Sequence, residues 1–289
     1  MSTHPTPHDQ RLTGRTRGAA PSCVPRPPSG TSTAADTLAP MAVSATREYH
    51  DQQRVTIITE SGLHTGPGFV LVHGIGMGHR YWSELADELD KHGRVYALDL
   101  PGFGDAPEPA EALDMPASGD LLARLVQHER IARPILIGHS MGTQIVAEAL
   151  ARHPDLFDCA VLIAPTVNAD ERSLHMQAWR MIQDLMHAKP KVWFVGAVYY
   201  VKTGPRWYLK KLRTMLDHHI ERVLPRIRAN VLVIRGANDR VCPEGWTKRV
   251  ATIIPHSRYV EVQGRGHETM ITAASDVAGY IVRHVSGRL

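Results

Sequence analysis

The sequence predicts an α/β fold: a mostly parallel central sheet covered by helices on both faces, interrupted by an inserted helical cap. Three observations predict it. Short, continuous apolar runs recur along the chain, as expected for strands buried on both faces. Segments with helical spacing lie between them. Between Pro165 and about Arg228 the alternation stops, leaving only helix-like sequence rich in Met, Trp and Tyr.

The elements follow in order. Residues 1–45 are rich in Pro, Ser, Thr, Gly and Ala and almost free of large apolar side chains, so they read as a disordered tail. "RVTIIT" (54–59) and "FVLVHG" (69–74) read as strands. "YWSELADELDKHG" (81–93) has helical spacing at Trp82, Leu85, Ala86 and Leu89, with Gly93 as a stop. "RVYALDL" is a strand, "LLARLVQH" a helix, "PILIGH" a strand, and "GTQIVAEALARHP" a helix stopped by Pro154. "CAVLIAP", "NVLVIRG" and "SRYVEVQG" are further strands, and "ASDVAGYIVRHV" is a closing amphipathic helix. The α/β core is therefore expected over 46–165 and 229–289, with the cap over 166–228 at the sheet's C-terminal edge, where open α/β sheets bind ligands.

Composition narrows the function. In 289 residues the formal net charge is +4 with both signs mixed, and no long Lys/Arg run or zinc motif points to nucleic acid. No apolar stretch reaches the length of a membrane span, about 20 residues. The basic N-terminal segment has no following apolar core and is not a secretory signal. Cys23, Cys159 and Cys242 have no metal or disulfide spacing. They read as reduced, incidental thiols, in keeping with a cytoplasmic protein.

One corner carries chemistry. Gly138-His139-Ser140-Met141-Gly142 fits the G-x-S-x-G elbow, with a strand before it and a helix after. Glycines on both sides let strand and helix approach closely while the serine hydroxyl projects above the sheet. A serine before a helix can also be a plain N-cap. A serine nucleophile needs a base, and the base an orienting acid. Asp239, in the loop after "VLVIRG", and His267, past "YVEVQGRG", stand in the required order Ser, Asp, His. Asp239 could instead make a loop Asx-turn.

Four landmarks, "HGIG", "DLPGFG", "GHSMG" and the pair "GANDRVCP" with "GRGH", make the chain from about Arg47 onward resemble the α/β-hydrolase superfamily. The likeness is to its small capped branch of esterases, lactonases, thioesterases and carbon–carbon hydrolases. The resemblance implies Ser140 as nucleophile, Asp239 as acid, His267 as base, and an oxyanion hole from the backbone N–H groups of Ile75 and Met141. It implies no cofactor. Relatives that open epoxides or remove halides carry aspartate at the elbow, so Ser140 argues against those reactions. His73 reads as structural and Asp105 as a loop residue. His79, His139, His218 and His219 lack a completing ligand set, so no metal site is expected.

The cap tryptophans Trp179, Trp193 and Trp207, with Tyr199, Tyr200 and Tyr208, either pack the cap or line an apolar pocket. The "KKLR" run, with Lys202 and Arg206 nearby, reads as a solvated helix face. The expected function is cofactor-independent hydrolysis of an ester-like bond in an apolar or aromatic small molecule, through an acyl-enzyme. The alternatives are carbon–carbon hydrolysis by the same residues and a non-hydrolytic binding protein on the same scaffold. The substrate itself and the oligomeric state are not legible.

Overall fold

Two short runs, β3 (Gly68–Val72) and β5 (Pro134–His139), lie side by side in the middle of a sheet because nearly every side chain in them is apolar and buried. The computed structural model describes Cys23 and residues 42–185 and 202–289. Among these residues, eight strands form one sheet in the order β1-β2-β4-β3-β5-β6-β7-β8. The others are β1 (Ala42–Asp51), β2 (Arg54–Gly62), β4 (Arg94–Asp99), β6 (Cys159–Ile163), β7 (Asn230–Gly236) and β8 (Ser257–Val262). β1 and β2 form an antiparallel hairpin, β2 runs antiparallel to β4, and every other neighbouring pair is parallel.

Alternate strand residues enter two cores. Val70, Val72, Leu136, Leu162 and Val233 face one, filled by α2 (Met115–His128) and α3 (Met141–Arg152). Phe69, Leu71, Ile137, Ile163 and Ile234 face the other, filled by α1 (Ser83–Leu89) and the closing helix Ala274–Val285. The period of two along each strand builds both layers from one set of runs. Local chemistry sets helix starts: Asp114 accepts the Ala117 N–H at 2.8 Å at the head of α2, with Pro116 just inside the helix.

Strand order turns back on itself at β3, with β4 on one side and β5 on the other. The loops that leave β3 and β5 therefore meet at a topological switch point. Above it, the interrupting segment holds α4 (Leu174–Leu185) and α5 (Pro205–Asp217), and no strand among its described residues. Trp207 of α5 packs on the loop after β4, and a Cβ on Gly102, whose φ is +82°, would come within 2.3 Å of its ring. Tyr208 lies against Gly76 in the loop after β3. Trp207 thus packs α5 onto the loop after β4, whereas Trp179 is exposed; Trp193, Tyr199 and Tyr200 lie outside the described residues.

Three expectations change. The first strand begins at Ala42, inside the stretch assigned to the tail. It is a polar edge strand, and its partner β2 supplies the register that its own pattern lacks. The rest of the tail lies outside the described residues, except Cys23. Cys23 and Cys159 form a disulfide with Cα atoms 5.4 Å apart, across a sequence separation of 136, so they are not incidental thiols. Lys211 of the "KKLR" run is buried, and its ammonium donates to the Leu113 carbonyl at 2.7 Å. It falls one helical turn from Trp207 and from Met215, both buried, so the α5 stripe carries it inward.

Candidate active site

Ser140 sits between β5 and α3 with φ +52° and ψ −120°, a conformation that a side chain adopts only under constraint. The surroundings supply it. The Ser140 N–H donates to the Ile163 carbonyl of β6 at 3.1 Å, and the Ser140 carbonyl accepts from Thr143 N–H and the Thr143 hydroxyl at 2.9 and 2.6 Å. A Cβ on Gly142 would lie 2.1 Å from the Val72 carbonyl, so α3 can start this close to β3 only with glycine there. Ser140 occupies the N-cap position but makes no side-chain capping bond. Its hydroxyl is thus not spent on closing the helix, which sets aside the plain N-cap reading.

Asp239 and His267 come from neighbouring loops after β7 and β8. Backbone hydrogen bonds from Ala237 to Val262 (2.9 Å) and from Asn238 to Arg265 (2.7 Å) tie those loops together. His267 Nδ1 and Asp239 Oδ2 are 3.0 Å apart, and both side chains are buried. The other carboxylate oxygen of Asp239 accepts the Cys242 N–H at 2.8 Å. This bond reaches three residues on, not the two of an Asx-turn, and it coexists with the histidine contact, one on each oxygen. Arg235 holds the turn from below, donating to the carbonyls of Asp239 and Cys242 at 3.0 and 2.8 Å.

The neighbour of Ser140, His139, contacts this pair: its ring centroid is 4.7 Å from that of His267. On the other side, Gly74 approaches so closely that a Cβ there would lie 3.2 Å from the Ser140 Cβ. Ile75 and Met141 follow Gly74 and Ser140 directly, and both are buried. Met141 is the first residue of α3, where backbone N–H groups have no intrahelical acceptor. An arrangement of this kind can pass a hydroxyl proton to an imidazole while helix-end N–H groups face a developing oxyanion.

The remaining histidines divide by partner. His73 is buried; its Nδ1–H donates to the Gly74 carbonyl at 2.7 Å, and its Nε2 accepts the Leu100 N–H at 3.1 Å. This fits the structural role expected of it, and burial holds the ring's pKa below the usual histidine value. His79 Nδ1 meets the buried Asp99 at 2.8 Å. Burial resists ionisation of Asp99, but hydrogen bonds from His79 and the Asp105 N–H outweigh it and keep the carboxyl below its ordinary pKa. His218 turns to Glu148 and His219 to Glu221, so the adjacent pair diverges. Asp105, a loop residue as expected, is ion-paired with Lys202.

Residues 69–279 match the model of the alpha/beta hydrolase family. The chain belongs to the alpha/beta hydrolase family. It is 24% identical over 242 residues to the AB hydrolase superfamily protein YisY of Bacillus subtilis, covering 75% of this chain and 90% of the relative. It is also 24% identical to a pimeloyl-[acyl-carrier protein] methyl ester esterase of Chromobacterium violaceum, covering 76% and 94% of the two chains. Among solved structures, the enol-lactonase of Burkholderia xenovorans superposes with a TM-score of 0.72 at 22% identity, over 83% of this chain and all of that one. A hydrolase from Pseudomonas aeruginosa superposes equally well, with a TM-score of 0.72 at 20% identity, over 84% and 98%. The family match places the chain in the family, and the solved structures share its fold.

His139 is the site residue that sequence reasoning passed over. The sequence raises it only as a metal-ligand candidate, yet it lies inside the elbow motif, next to Ser140 and in ring contact with His267.

Proposed function

We propose that the protein is a cofactor-independent serine hydrolase that cleaves an ester-like bond through an acyl-enzyme. The observation that carries the reading is Ser140, held at φ +52° with no capping bond, beside a buried Asp239–His267 pair. His267 takes the Ser140 proton as the hydroxyl oxygen attacks the substrate carbonyl. Asp239 keeps the proton on His267 Nδ1, leaving Nε2 as the basic nitrogen, and stabilises the imidazolium that forms. The N–H groups of Ile75 and Met141 hold the oxyanion, a contribution worth about 2.7–4 kcal/mol for each such donor. The imidazolium then protonates the leaving group, and water, activated by His267, releases the acyl group.

The segment 166–228 acts as the cap of this site, above the core formed by 46–165 and 229–289. Its aromatic residues Trp207 and Tyr208 border the loops after β4 and β3, which supports an apolar or aromatic small-molecule substrate. A substrate panel in which short charged esters outperform hydrophobic ones would remove that part of the reading. Among the described residues no helix is long and apolar enough to cross a membrane. The cytoplasmic expectation rested on free thiols, and the Cys23–Cys159 disulfide withdraws that support.

The test is intact-mass analysis after fluorophosphonate treatment. Wild type is expected to gain one adduct and Ser140→Ala none, with an unchanged melting temperature and no turnover. A Ser140→Ala variant that keeps wild-type turnover would exclude Ser140 as the nucleophile.

A further inference from the structure

His139 packs against three parts of the site at once. Its Nε2 is 3.1 Å from the backbone carbonyl of His267. Its ring lies 4.7 Å from the His267 ring, 5.5 Å from Tyr81 and 6.3 Å, edge-on, from Trp82. On the β3 side, a Cβ on Gly74 would be 3.2 Å from His139 Nδ1.

A carbonyl only accepts, so the Nε2 of His139 must carry the hydrogen. Its Nδ1 is then a bare lone pair, buried with no hydrogen-bond partner among the described residues. Protonation there would bury an uncompensated cation beside His267, with the His73 ring also close enough to oppose it. Burial, and secondarily His267, accordingly hold the His139 pKa well below the usual value. The geometry makes the ring a neutral Nε2–H donor.

We propose that His139 is a positioning residue for His267: through its Nε2–H bond to the His267 carbonyl and its ring contact, it fixes where the base stands relative to Ser140. The proposal rests on the reading of His267 as the general base. The backbone of His139 is part of the elbow that carries Ser140, so one residue sets both partners of the proton transfer. The bond ties the end of β5 to the loop after β8. Misplacement of reacting groups by about 1 Å can cost on the order of 100-fold in rate.

The test compares His139→Leu, which fills the apolar space without a donor, with His139→Gln, which can place an amide N–H near the original Nε2. The readout is the rate of fluorophosphonate labelling of Ser140 across pH, alongside kcat and KM on any ester that the wild type turns over. His139→Leu is expected to label roughly 10- to 100-fold more slowly, with the acid limb of the profile displaced, kcat reduced and KM little changed. His139→Gln is expected to recover most of the rate and the original limb. Wild-type labelling and limb in His139→Leu would overturn the proposal. So would equal losses in both variants with an unmoved limb, since that marks packing alone.

If His139→Leu does not fold, nitrogen NMR of histidine-labelled wild type decides. The His139 ring must stay in the Nε2–H form from pH 5 to 9, and an Nδ1–H form overturns the proposal. His267→Ala separates the two levels. If it labels like wild type, the general-base reading falls and takes the His139 role with it. If it is silent while His139→Leu is normal, only the His139 role falls.

Discussion

Two histidine–aspartate pairs with buried carboxylates stand at the C-terminal edge of the same sheet. His267 and Asp239 are 3.0 Å apart, and His79 and Asp99 2.8 Å apart; in each, Nδ1 faces Oδ2 and the carboxylate is fully buried. By distance and burial they could be exchanged. They differ in what surrounds them. The Asp99 carboxylate also accepts the backbone N–H groups of His79 and Asp105, so it ties the loops after β3 and β4 together. Asp239 gives one oxygen to its own turn, and its histidine stacks beside the elbow. The lesson is that distance and carboxylate burial do not by themselves assign a role: the further partners do, and the pair whose carboxylate ties two loops together is a strut.

The largest expected effect breaks the symmetry outright. Asp239→Asn should lower kcat by about 10⁴-fold with little change in melting temperature, because the imidazole loses the acceptor that fixes its tautomer. Asp99→Ala should do the reverse. Denaturant unfolding should register a loss of about 3–5 kcal/mol, as expected when one partner of a buried pair is removed. The protein that remains folded should keep most of its kcat. Equal kinetic losses in the two variants would erase the distinction.

Buried Lys211 sharpens the contrast, because among the described residues no carboxylate is hydrogen-bonded to it. Lys211 has only the Leu113 carbonyl as hydrogen-bond acceptor among the described residues, and burial lowers its pKa to about 8. The unfolded chain binds that proton up to its ordinary value of 10.5, while the folded protein sheds it at about 8. Stability should therefore rise as pH increases from about 8 to 10.5, by an amount on the order of 3 kcal/mol at most. Lys211→Met should flatten this dependence and stabilise the protein at pH 7. Melting curves taken across that window for both proteins test the sign. The smallest effect is expected at His79→Gln, which keeps a donor near Asp99. It should cost about 1 kcal/mol and leave kcat within a few-fold.

What the sequence made legible, and what it hid, follows the reach of each interaction. The elbow was readable because strand, turn and helix are contiguous, and the order Ser140, Asp239, His267 comes with the fold. Lys211 is masked by the basic character of the whole "KKLR" run, although Trp207 and Met215, one turn to either side, mark the inward stripe. β1 carries no apolar signature of its own. His139 was hidden because its partner is a backbone carbonyl 128 residues away, and a carbonyl leaves no trace in residue identity. The contact of Cys23 with Cys159 spans a similar distance.

That covalent link has a consequence for the chain as an object. Cys159 is the first residue of β6, at the end of the sheet opposite the elbow. The bond closes a ring that contains the hairpin, β3, β4 and β5, and with them Ile75, Ser140 and Met141. A protease that cuts once anywhere between the two cysteines opens the ring but releases no fragment. On a gel without reductant the nicked molecule would run as one species, and with reductant as two.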